Sequence, residues 1–134
     1  MYKQFTLILT AVLLSVTLSQ AETSTDLKKD YTKFRRNYLS LISSSSAGTN
    51  FVKYFNDLET ELNLQYEAFT VKELKLLTPE GNQMALDLEM LQPIKMLLNG
   101  QLDCEKAIHT NEMNAIADES AAAKIKVLMN KLCK

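Results

Sequence analysis

Residues 104–133 read CEKAIHTNEMNAIADESAAAKIKVLMNKLC and carry the only two cysteines of the 134-residue chain, one at each end. No Gly or Pro interrupts them, and their apolar residues step by three and four, so the stretch predicts helix almost throughout. In one straight helix Cys104 and Cys133 would stand about 43 Å apart at ~1.5 Å per residue. A disulfide needs Cα atoms within about 7 Å. In a secreted chain the two cysteines are expected to pair. Pairing then forces the stretch to fold back as a helical hairpin. The sequence turns polar at His109-Thr110-Asn111-Glu112 and resumes its apolar pattern at Ala115 and Ile116; the bend belongs between Asn111 and Ser120, and Asp118 is the expected cap of the second arm.

The N-terminus predicts the secretion that this pairing requires. Residues 1–21 have the layout of a signal peptide: Lys3 as the positive region, an uncharged run from Phe5 to Leu18, then Ser19-Gln20-Ala21 with small residues at the −3 and −1 positions. The run is 14 residues long, short of the ~20 that a membrane-spanning helix needs. Cleavage after Ala21 leaves residues 22–134, one domain of ordinary size with room for its own core. The expectation is a secreted, extracellular protein with no stable membrane insertion.

Without Lys3 the chain has 14 basic and 16 acidic residues. That balance argues against a general nucleic-acid or anionic-membrane binder. The charge is uneven along the chain: residues 22–50 carry a net +2 and residues 51–73 a net −3. Complementary signs on successive helices suit antiparallel packing, although solvated faces explain them equally well. No Asn-x-Ser/Thr sequon occurs, so no N-glycan is expected.

Working back from the hairpin, Asp103 suits the cap of its first arm, and Asn99-Gly100 the stop of the helix before it. That preceding helix starts at Thr78-Pro79, with Thr78 as N-cap and Pro79 in the first turn. It is apolar on most sides. Met84, Leu88 and Leu91 make one stripe, while Leu86, Met90, Met96 and Leu97 lie off it. Pro93 removes the bond to the Glu89 carbonyl and predicts a kink. A helix of this kind is expected near the middle of a bundle.

Two amphipathic helices precede it. Over 25–43, Leu27, Tyr31, Phe34, Tyr38, Leu41 and Ile42 form the inner face, with Thr25 or Asp26 as cap; lysines and arginines, Arg35 among them, fill the remainder. The serine-rich run 43–49 reads as a loop. Thr49 or Asn50 then caps a helix whose inner face is Phe51, Phe55, Leu58, Leu62, Tyr66 and Phe69, and whose outer face is acidic, Glu59 and Glu61 included. Thr70 and Glu73 fit a capping box, which predicts a restart at Val71 running to Leu77.

Chemical motifs are lacking. His109 is the single histidine, and with both cysteines in a disulfide no set of three or four metal ligands assembles by spacing. No Walker loop, dinucleotide fingerprint, nucleophile elbow or zinc-protease pattern occurs. Glu59 and Glu61 are two apart and point in different directions, which does not suit paired acid–base catalysis. Methionines 84, 90 and 96 recur every six residues and form no single stripe.

The resulting expectation is an all-α fold, a small bundle of four to six antiparallel helices with one disulfide-linked C-terminal hairpin, Cys104 to Cys133. It is not an enzyme, and it needs no cofactor and no metal. Its partner is another extracellular protein or receptor, met through a helical face. The alternative is a carrier of a small apolar ligand between helices, lined by Leu86, Met90, Met96 and Leu97.

Overall fold

The computed structural model describes residues 26–44, 50–72 and 78–134. Residues 1–21, expected as a signal peptide, lie outside them, as do 45–49 of the serine-rich loop and 73–77. Every regular element among the described residues is a helix: α1 (26–42), α2 (Phe51–Lys72), α3 (Pro79–Met90), α4 (Gln92–Leu98), α5 (Cys104–Asn114) and α6 (Glu119–Leu132). α2 packs on α3, α4 on α5, and α5 on α6.

The inward faces are largely those that the apolar periodicity marks. Phe34, Tyr38, Leu41 and Ile42 of α1 are buried, as are Phe51, Phe55, Leu62 and Phe69 of α2, with Leu27, Tyr31, Leu58 and Tyr66 packed at their edges. Met84, Met90, Leu91 and Ile94 bring in α3 and α4, and Ala107, Ile125, Leu128 and Met129 the hairpin. Each large side chain so buried contributes roughly 1.5–3 kcal/mol against exposure.

Helix ends follow local chemistry. The Thr78 hydroxyl accepts from the Gly81 amide, with Pro79 in the first turn. Asn50 takes the cap position of α2, its carbonyl accepting from the Tyr54 amide. Asp26 is already helical, and Thr25 lies outside the described residues. Gly100, at φ 73, closes α4, and the amides of Gly100 and Gln101 turn back to the carbonyls of Leu97 and Met96.

Two expectations need correction. No restart occurs at Val71: α2 runs unbroken through Thr70 to Lys72, and the Thr70 hydroxyl donates to the Glu67 carbonyl in place of capping a new helix. The effect of Pro93 is an interruption. α3 stops at Met90, Leu91 serves as the last cap of one helix and the first of the next, and α4 restarts at Gln92 with Pro93 in its first turn. Proline is tolerated there because first-turn amides have no helical partner.

Candidate interaction surface

The hairpin is closed as its sequence requires. Cys104 at the start of α5 and Cys133 just past α6 are disulfide-bonded, with their Cα atoms 6.0 Å apart. At the far end the chain turns through Ala115, Ile116 and Ala117. Three ties hold this elbow. Successive amides bond back to α5, Ala115 to the Asn111 carbonyl, Ile116 to that of Met113, and Ala117 to that of Asn114. The Asp118 carboxylate accepts from the Ala121 amide and starts α6. From α5, the amide nitrogen of Asn111 donates across the hairpin to the Ala122 carbonyl at 2.9 Å, in a buried setting.

This frame holds apolar side chains in water. Ile116 is 94% exposed and Met113 61%. Glu112 and Glu119, which flank the turn in sequence, are exposed, and Asp118 is half-buried. The turn thus carries an apolar knob within an acidic stretch of sequence. The backbone amides of Ala115, Ile116, Ala117 and Asp118 all bond back to α5. Single exposed apolar residues are ordinary. Met113 and Ile116 are two such residues three positions apart at the turn of the hairpin.

The other sequence candidates are placed as follows. Met90 is packed in the core, Leu86 and Leu97 are partly buried against it, and Met96 is half-buried. His109 is exposed on α5. Among the described residues, no group of three or more His, Cys, Asp or Glu side chains is placed to hold a metal ion. No described helix is long and apolar enough to cross a membrane.

Three polar features were not evident from spacing. Asp87 occupies an inward register of α3 and is fully buried, and one guanidinium nitrogen of Arg35 from α1 reaches both its carboxylate oxygens at 2.6 Å. The Gln83 amide adds a third bond at 2.8 Å. Burial nonetheless raises the Asp87 carboxyl above its ordinary range; the Arg35 and Gln83 bonds oppose the rise, and the charge of Asp118 adds to it. Arg35 also lies over the Tyr38 ring, 5.4 Å from its centre. Burial, with Asp87 and Asp118 nearby, pushes the Tyr38 hydroxyl well above its usual range. Arg35 is thus not simply part of a solvated basic face.

Glu59, read as part of a solvated acidic face, is the second departure. Its side chain is only 12% exposed and accepts from Lys95 of α4 at 3.1 Å and from Asn63. The third feature is the pair of Asp30 and Lys72, which joins α1 to the end of α2 at 2.7 Å and raises the lysine above its usual range through that bond. The basic first helix meets the more acidic second helix through one ion pair, Asp30 with Lys72, and reaches α3 through another, Arg35 with Asp87.

Comparison with protein-family models, curated proteins and solved structures finds no match for the chain.

Proposed function

We propose that the chain is a secreted, non-catalytic helical protein that acts by docking the α5–α6 elbow into another extracellular protein. The observation that carries this reading is Ile116, 94% exposed on a turn whose amides bond back to α5, between two disulfide-linked helices. Rigid apolar anchors of this kind lose little conformational freedom on binding, and so give more net affinity than mobile ones. Exposed Glu112 and Glu119, close to Ile116 in sequence, favour a partner with basic side chains at its contact. The disulfide suits an oxidising, extracellular setting. The carrier alternative would need Leu86, Met90, Met96 and Leu97 to face a shared space; the packing of Met90 into the core favours the docking reading over it.

Immobilised protein tests the proposal by what it retains from the extracellular fluid into which it is secreted. Wild-type protein is expected to retain a defined set of proteins, and Ile116→Asp to lose them by about thirtyfold, the effect of removing a contact worth ~2 kcal/mol. Equal retention by the two proteins would remove the elbow from the binding surface.

A further inference from the structure

Five methionines, Met84, Met90, Met96, Met113 and Met129, fall among the described residues. Met84, Met90 and Met129 are core residues, at most 1% exposed, and Met96 is half-buried on α4. Met113 is the exception. It lies in the last turn of α5 and is 61% exposed. Both cysteines are taken up in the disulfide, so the protein has no free thiol. A thiolate is the sulfur that oxidants ordinarily meet first. Without one, the most accessible oxidisable sulfur among the described residues is the Met113 thioether.

Position matters as much as exposure. The Met113 carbonyl accepts from the Ile116 amide at 3.4 Å, so the two residues share one turn of backbone at the elbow. We propose that Met113 is the site at which a hydroperoxide oxidises this protein, and that its conversion to the sulfoxide weakens docking of the elbow. In this step a sulfur lone pair takes the terminal oxygen of the peroxide. The O–O bond breaks as the S–O bond forms, and the proton of the transferred hydroxyl goes to the departing oxygen, so hydrogen peroxide leaves as water. Sulfur gives up two electrons and the peroxide accepts them; no other reactant enters. The product replaces a flexible apolar side chain with a polar, chiral one. Against an apolar partner, the new oxygen loses its hydration without a hydrogen bond in return. Methionine sulfoxide is enzymatically reducible, which makes the change reversible. The proposal rests on the elbow reading above and adds a regulation to it.

Brief treatment of the folded, disulfide-intact protein with hydrogen peroxide, followed by peptide mapping by mass spectrometry, tests the site. One added oxygen is expected on the peptide carrying Met113. It should appear roughly a hundredfold sooner than on peptides carrying Met84, Met90 or Met129, whose sulfurs are reached only when the fold opens. Met113→Leu should lack that first phase. Oxidation that begins at Met96 or in the core, or that reaches all five methionines together, overturns the proposal. The singly oxidised protein, its helices checked by circular dichroism, is then compared with untreated protein for what it retains from its extracellular fluid. Retention should fall about tenfold, and methionine sulfoxide reductase should restore it. Met113→Leu, compared with itself before and after the same treatment, should show no fall. Undiminished retention by the oxidised protein overturns the proposal; if Ile116→Asp still abolishes retention, the elbow reading stands without it. If the wild type retains nothing, or neither change affects retention, both fall.

Discussion

Asp87 sits in the register 84, 87, 91, 94 that carries Met84, Leu91 and Ile94 into the core across α3 and α4, so the stretch that buries those three buries a carboxylate with them. Its partner Arg35 is 52 positions earlier, on a different helix. Neither fact was read from spacing along the chain. The same holds for Glu59 and Lys95, 36 positions apart. Local pattern assigns a charge to an outward face, and only the packed bundle shows which charges bridge helices. The Arg35–Asp87 contact makes a pH-dependent prediction. With its folded value raised by burial, Asp87 contributes stability that is fully present below the ordinary carboxylate value of ~3.9 and is lost as pH rises through the raised value. Arg35→Met removes its chief opposing bond, so the value rises further and an unpaired buried carboxylate remains near neutrality. The variant should lose about 3–5 kcal/mol near neutral pH, and the loss should shrink on acidification. Urea unfolding of both proteins at neutral and acidic pH checks this. A loss that is constant, or grows in acid, would show that Asp87 is not held as a burdened carboxylate.

The C-terminal hairpin was the most legible element, because two cysteines 29 positions apart in helix-forming sequence leave few shapes. The caps at Asp103 and Asp118 and the φ 73 glycine at the end of α4 were legible too, since each rests on contacts within a few residues. Thr70 misled for the same reason: a hydroxyl three residues before a glutamate suits a cap, but it also suits a bond to its own helix, and packing of Phe69 into the core favours continuing α2. The candidate surface was less legible than the hairpin that holds it. Ala115 and Ile116 read as a resumed apolar pattern, and only the turn of the backbone shows Ile116 pointing to water. The disulfide closes a loop whose chain entropy accounts for about 3.6 kcal/mol. Replacing both cysteines by serine should lower unfolding stability by a few kcal/mol and leave the helical circular dichroism of the native state unchanged, because Ile125, Leu128 and Met129 still hold α6 on the core. Loss of helix under native conditions would mean that the crosslink, and not the core, maintains the hairpin.

The molecule as a whole is a bundle whose core draws on every described helix, with chemistry-bearing residues scattered and a single crosslink at one end of the hairpin. Its all-helical class follows from the three- and four-residue steps seen in each segment beyond residue 21, which is why it could be read without any relative. Function could not be read in that way, because binding depends on what projects from the assembled surface. If the chain is exported as proposed, the mature protein begins at Glu22, and N-terminal sequencing of secreted material will show that residue first; an intact leader on exported protein would contradict it. The central claim is that the elbow is the contact surface. It is tested most directly by placing a photoreactive side chain at position 116, and for comparison at exposed Glu105 near the other end of α5, then illuminating each protein in its own extracellular fluid. The account predicts discrete crosslinked products from position 116 that excess wild-type protein suppresses, and few from position 105. Equal, unsuppressed labelling from both positions would contradict it.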